Sequence, residues 1–184
     1  LIKKQLRKNI TFIHLVMQCC LFDFMDIRVG QGIDCHQLEK NIPFIIGGIE
    51  IDANVGIKGH SDGDVLFHAI VDALLGAISE GDIGNYFPSN DAQWKGAESK
   101  TFLSHIFSLV KGCGYEINNI DINVIAERPK INKYRNKIIN SISKLCNISE
   151  KQINIKGKTT EKLGLIGKEK AIASEVISSV TNDD

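Results

Sequence analysis

The chain has 184 residues, 22 basic and 22 acidic side chains, no formal net charge, and 43% hydrophobic residues. That is enough apolar material for one good-sized core, and it excludes a collagen-like, coiled-coil or wholly disordered chain. Balanced charge argues against broad electrostatic binding to nucleic acid, so an anionic ligand has to be held by a local cluster of groups.

In chain order, residues 1 to 24 stand apart. Lys3, Lys4, Arg7 and Lys8 precede a mostly apolar run from Ile10 to Phe22, with no acid before Asp23. This is either a leader or targeting remnant, too short for a comfortable membrane span, or a plain basic extension of the fold. Residues 25 to 184 are expected to form one domain.

Within that domain, "DIRVGQGIDCH" and "IPFIIGGIEID" read as strands interrupted by glycines, the second turned at Gly47 and Gly48. Alternate residues of a strand share a face, so Asp34 and His36 project together while Ile33 and Cys35 point the other way. Ser61 is expected to cap a helix in which Leu66, Ile70, Leu74 and Ile78 recur every four residues, with Asp64, His68 and Asp72 as its polar stripe. Further helices are expected over Ser99 to Lys111 and Asn132 to Leu145, and further strands in "YEINNIDINVIAE", "QINIKGKTT" and "AIASEVISSV". The alternation predicts an α+β single-domain sandwich, a mixed β-sheet with helices packed on one face. Five cysteines without regular spacing suit reduced thiols better than a disulfide framework.

Three clusters bear on chemistry. If the first helix lies beside the first strand, His68 joins Asp34 and His36 as one carboxylate and two imidazoles, a set that leaves a zinc ion one open position; alternatively the pair is only the polar side of a strand. "GHSDGD" puts His60 and Ser61 where a helix start could hold phosphate, or where it is simply capped. "GKTTEKLG" gathers Lys158, Thr159, Thr160 and Glu161 after a strand, as phosphate and Mg²⁺ ligands or as a solvated turn. It lacks the spacing of a P-loop.

In order and spacing, "RVGQGIDCH", "IIGGIEI", "GHSDGDVLFHAIVDALLGA", "GDIGNYFP", "WKGAES", "AERPKI", "TTEKLG" and "IASEV" resemble the 2-C-methyl-D-erythritol 2,4-cyclodiphosphate synthase family over nearly the whole domain. The resemblance implies conversion of 4-diphosphocytidyl-2-C-methyl-D-erythritol 2-phosphate to the cyclic diphosphate and CMP, in non-mevalonate isoprenoid synthesis. It implies Zn²⁺ on Asp34, His36 and His68, and Mg²⁺ or Mn²⁺ on Glu161. His60 and Thr159 match the pair that stabilises the transition state, and His60 and Ser61 the residues that position the methylerythritol phosphate. Asp82, Ile83 and Gly84 match the diol-binding turn, and Phe87, Asp91, Trp94 and Lys95 a loop covering the substrate. Ala126, Pro129, Lys130 and Ile131 match the cytosine pocket, with Lys158, Thr159 and Thr160 against the phosphates. Ser89 stands where many relatives carry an acid.

Leu165 and Lys168 stand where many relatives place an aromatic and an arginine near a threefold axis, and lysine lacks arginine's forked grip on a diphosphate. Lys158 replaces a commoner small hydroxyl residue. The resemblance further implies a homotrimer with sheets facing the axis and active sites at subunit interfaces, no nucleic acid partner, and no membrane association of the mature form. The pathway, the leader-like start and heavy Ile, Asn and Lys usage point to a plastid-type organelle such as an apicoplast, with a bacterial-type cytoplasm as the alternative. A zinc phosphohydrolase and a catalytically silent nucleotide-binding scaffold are the competing functions.

Overall fold

A computed structural model of the protein describes residues 26–182, so the basic-then-apolar start lies outside the described residues. Strand β1 (Asp26–Glu39) runs unbroken through Gly30 and Gly32, which the pattern alone marks as interruptions. The two glycines, Asp34, His36 and Leu38 face inward, while Ile27, Val29, Ile33 and Cys35 are exposed on the opposite face. The glycines are there for close packing. A Cβ on Gly30 would meet the Ala73 carbonyl oxygen at 1.9 Å, and one on Gly32 would meet that of Ala69 at 2.1 Å. The backbone of the first long helix therefore lies directly on the strand.

Strands β2 (Phe44–Ile46) and β3 (Ile49–Ile51) form a separate hairpin turned, as expected, at Gly47 and Gly48, whose φ values are 62° and 71°. Two consecutive positive φ angles match the twist of the paired strands and favour glycine. Strand β4 (Gly56–Lys58), too short to register as a pattern, then pairs with the end of β1, Gln37 opposite Lys58.

Helix α1 (Val65–Ile78) carries the expected Leu66, Ile70, Leu74 and Ile78 into the core, but Ser61 is not its cap. Asp64 is. Its Oδ1 accepts from the amides of Leu66 and Phe67, each at 3.1 Å, and from Gly47 at 3.0 Å, while Oδ2 accepts from Gly48 at 2.7 Å. Asp64 is fully buried, so it belongs to the framework and not to a polar stripe. Burial pushes its carboxyl upward, opposed by these amides, and the hairpin turn is thereby pinned to the helix start. Asp64→Ala removes the cap, worth about 1 kcal/mol, and strands buried amides at about 1–3 kcal/mol each. We expect a loss of about 3–5 kcal/mol in urea unfolding, with Asp64→Asn, which keeps one acceptor oxygen, losing roughly half as much.

The remaining elements are α2 (Ile83–Tyr86), α3 (Ser99–Gly112), β5 (Glu116–Ile125), α4 (Arg135–Cys146), β6 (Ile153–Lys158), α5 (Gly164–Gly167) and β7 (Ala171–Asn182). Helix α3 meets its expected bounds within a residue, whereas α4 starts three residues later than expected. Buried Ile131 sits over Gly157, and the chain makes one 3-10 turn there before Arg135 opens the helix.

The five-stranded sheet has the order β4-β1-β7-β5-β6, antiparallel throughout except for the parallel β5–β6 pair, and is mixed as expected. Helix α1 packs on β1 and β7, α3 packs on α1, and α4 on β6. Ile27, Val29, Ile33 and Ile177 remain 45–64% exposed on the strands.

Candidate metal centre and adjoining cavities

Because α1 sits so close to β1, His68 on the helix reaches the inward pair Asp34 and His36 on the strand. Asp34 Oδ2 lies 2.7 Å from His36 Nε2 and 3.0 Å from His68 Nδ1, and the two nitrogens are 3.3 Å apart. All three side chains are partly buried, with 12–24% of their side-chain surface exposed. Ligands at zinc bond lengths of about 2.0–2.1 Å in a tetrahedron stand roughly 3.3 Å apart, so one face of that tetrahedron is nearly built. No other group of three or more His, Cys, Asp or Glu among the described residues meets this test.

The outer nitrogens are also engaged. His36 Nδ1 lies 2.8 Å from the Lys58 carbonyl, which can only accept, so Nδ1 keeps a proton; Nε2 donates to Asp34 when the imidazole is charged and turns a lone pair to the centre when it is neutral. His68 Nε2 lies 2.9 Å from Ser99 Oγ and 3.0 Å from Ser61 Oγ. Burial pushes the Asp34 carboxyl up, but hydrogen bonds from both histidines and their charges hold it well below the usual carboxylate range. For His36 burial works downward, and Asp34 with the Lys58 carbonyl outweighs it to raise the imidazole. A carboxylate and two imidazoles converging in this way fit a divalent cation.

The centre opens on a cavity of about 280 Å³ lined by His36, His60, Ser61, His68, Ile83, Gly84, Phe87, Ser89, Trp94 and Phe102. One wall is aromatic: Phe87 stacks on Phe102 at 4.3 Å between centroids, and Trp94 sets its edge against both. His60 and Ser61 come from the turn before α1 and not from a helix start open to phosphate, since Asp64 already occupies the first amides. Asp82 caps α2 by accepting from the Asn85 amide at 3.2 Å. The Ile83 amide is held by Asp72 Oδ1 at 2.7 Å, which anchors the turn from the same helix that carries His68. Asp91 and Lys95 are exposed at the two ends of the 3-10 turn Ala92–Trp94.

The residues matched to a cytosine pocket are gathered elsewhere. Ala126, Pro129, Lys130 and Ile131 line a second cavity of about 110 Å³ with Asn132, Gly157, Lys158 and Thr159. It shares no residue with the first, so His60 and Thr159 line different cavities of one chain. Glu161 is exposed with φ 51°, and its Oε1 accepts from Thr159 Oγ1 at 2.8 Å. Glu127, for which the sequence suggests no role, shapes this turn: one oxygen accepts from the amides of Thr160 and Lys162 at 3.1 and 3.2 Å. The Lys162 amide and then that of Thr160 hold its carboxyl below the usual range, against burial. Leu165 and Lys168 are exposed on and just after α5.

Fold and site together define a class: a mixed-sheet α+β domain with an Asp–His–His centre, suited to a divalent cation, at a helix–strand contact. Within that class the chain belongs to the YgbB family, whose family model matches residues 27–181. It is 53% identical to a bifunctional enzyme IspD/IspF of Pelagibacter ubique over 86% of this chain, but spans only 43% of that protein's length. It is 48% identical to the 2-C-methyl-D-erythritol 2,4-cyclodiphosphate synthase of Acaryochloris marina, covering 85% of this chain and 98% of that one. Among solved structures, a Plasmodium falciparum IspF in complex with CDP superposes with a TM-score of 0.76 and 43% identity, over 86% of this chain and 97% of the other.

Proposed function

We propose that residues 25–184 form a working domain that converts 4-diphosphocytidyl-2-C-methyl-D-erythritol 2-phosphate into 2-C-methyl-D-erythritol 2,4-cyclodiphosphate and CMP. The observation that carries the reading is the convergence of Asp34, His36 and His68 on one point at the mouth of a polar and aromatic cavity. The nucleophile, a phosphate oxygen of the substrate itself, arrives ionised, so no strong general base is needed. The difficulty is bringing one anion against another. Zn²⁺ on the three ligands, with Mg²⁺ or Mn²⁺ on Glu161, would withdraw charge from the diphosphate and hold attacking and leaving oxygens in line.

The chain's own residues supply the remainder. His60 and Ser61 receive the methylerythritol phosphate beside the centre. The Asp82–Gly84 turn, made rigid by Asp72, fixes the diol, and the Phe87, Trp94 and Phe102 wall excludes water that would open the ring. Fixing a flexible polyol in its near-attack shape removes much of the entropic barrier to closing an eight-membered ring. The cytosine goes to the Ala126, Pro129, Lys130 and Ile131 cavity, with Lys158, Thr159 and Thr160 on the phosphates.

Because His60 and Thr159 line separate cavities, we propose that one chain's metal centre works with a neighbour's nucleotide cavity in a homotrimer. The exposed Ile27, Val29, Ile33 and Ile177 support sheets facing the threefold axis. For location, residue usage and the basic-then-apolar residues 1–24 are all that favours a plastid-type organelle, while the similarity to bacterial proteins, Pelagibacter ubique's among them, favours the bacterial-type cytoplasm; among the described residues no helix is long and apolar enough to cross a membrane.

Incubation of the full chain with the diphosphocytidyl substrate, Zn²⁺ and Mg²⁺ should yield CMP and a cyclic diphosphate by phosphorus NMR. Open-chain phosphate as the product would instead identify a phosphohydrolase, and CMP binding without turnover a silent scaffold.

A further inference from the structure

We infer that Asp62 and Ser99 form an outer relay that fixes which nitrogen of His68 faces the metal centre, an inference that rests on the metal reading above. Only an unprotonated ring nitrogen can hold a cation, and His68 turns Nδ1 toward Asp34 and His36. Binding therefore needs the proton on Nε2, against Asp34 Oδ2, an acceptor 3.0 Å from Nδ1 that draws the proton inward when no cation is bound. The two neighbours of Nε2, Ser99 Oγ at 2.9 Å and Ser61 Oγ at 3.0 Å, are hydroxyls that can either donate or accept, so by themselves they leave the tautomer open.

The next group along sets the direction of the Ser99 hydroxyl and so favours Nε2–H. Asp62 Oδ1 lies 2.5 Å from Ser99 Oγ, and a carboxylate can only accept. It accepts a hydrogen bond from the Ser99 hydroxyl, which leaves a Ser99 lone pair to accept from the Nε2–H of His68. Ser99 is fully buried, so bulk water cannot substitute for either partner. The arrangement parallels that of His36, whose outer nitrogen also ends on an acceptor, the Lys58 carbonyl. In both cases an outer acceptor favours an inner lone pair directed at the same point.

Asp62 is itself held from several directions. Its Oδ2 accepts from the Ser99 amide at 3.0 Å, its Oδ1 from the Asp64 amide at 3.2 Å, and its own amide donates to the Ala97 carbonyl at 3.0 Å. The Gly96 amide donates to the His60 carbonyl at 2.9 Å. The segment that walls the cavity and the first turn of α3 are thus both tied to Asp62, which reaches the outer side of His68 through Ser99. Asp62 and Ser99 are positioning residues, acting on the cation through His68.

The test compares the wild-type chain with Asp62→Asn. The new amide can donate to Ser99 Oγ, releasing the Ser99 proton toward His68 Nε2 and placing the imidazole proton on Nδ1, inside the centre. Zinc affinity, measured by chelator competition, should fall about 10–100-fold, the range for loss of an outer-shell partner. Nitrogen NMR of ¹⁵N-histidine-labelled, metal-free protein, in the range where the His68 signals no longer change with pH, should show the balance between its Nε2–H and Nδ1–H tautomers shifted toward Nδ1–H in Asp62→Asn. Unchanged zinc affinity together with an unchanged tautomer would overturn the relay. Should Asp62→Asn fail to fold, Ser99→Ala makes the same comparison: a loss of affinity of at least about tenfold supports the relay, and wild-type affinity overturns it. A wild-type chain that binds no zinc would refute the metal reading, and the tautomer comparison would still decide this one.

Discussion

Gly32→Ala is expected to destabilise the protein by about 3 kcal/mol or more and to weaken metal binding at the same time. Its Cβ would sit 2.1 Å from the Ala69 carbonyl oxygen, 2.7 Å from the Ala73 amide nitrogen and 2.9 Å from Asp72 Cβ. Two of these contacts are backbone atoms in the middle of α1, so no side-chain rotation relieves them. The helix has to move off the strand by about an ångström, since ordinary carbon contacts need roughly 3.5 Å. That displacement carries His68 away from Asp34 and His36, because the helix bears one ligand and the strand the other two. Gly76→Ala is the control from the same contact. Its Cβ would meet nothing nearer than Gly30 Cα at 3.7 Å, and replacing a helical glycine by alanine should stabilise by about 0.5–1 kcal/mol. Urea unfolding and zinc competition on the two variants check the pair: equal stabilities would mean that α1 and β1 are not in the close contact described.

The same contact explains what could be read in advance and what could not. Strand alternation placed Asp34 and His36 on one face, and helical spacing placed Leu66, Ile70 and Leu74 in the core, because both depend only on a local period. The glycines of β1 read as breaks because the helix that requires them begins more than thirty residues later, and one sequence does not show which backbone will lie against which. Asp64 looked like part of a polar stripe for a similar reason. Two of its partners are the amides of a hairpin turn 16 and 17 residues earlier, and a backbone amide leaves no mark on composition. Ser99 and the Lys58 carbonyl were invisible as supports of the histidines, being a buried serine at a helix start and a main-chain atom on a three-residue strand. What pattern could supply was the ligand set, and what it could not supply was the packing and outer shell that bring the set together.

His68→Ala, His36→Ala and Asp34→Asn are each expected to remove bound zinc and to reduce cyclisation by at least about a thousandfold, while the fold remains. The two alanine substitutions each delete one vertex of a three-ligand face whose edges are 2.7–3.3 Å, and Asp34→Asn leaves the third vertex a neutral, far weaker ligand. The fold survives because the side chains are partly exposed and the core beneath them is made by Leu66, Ile70 and Leu74. Asp34→Asn separates charge from shape: it keeps an oxygen in place but removes the negative charge that raises His36. Acid should act on the same centre. In the metal-free protein Asp34 and the Lys58 carbonyl, against the effect of burial, let His36 keep its proton to a higher pH than an ordinary imidazole. Protons therefore compete with metal from above the usual imidazole value of about 6.5 as pH falls. At limiting zinc, occupancy measured by metal analysis across a falling pH series should begin to drop before the usual imidazole value of about 6.5 is reached, and excess zinc should shift the fall to lower pH. Full cyclisation by metal-stripped wild-type protein in chelator would remove the basis for all three substitutions.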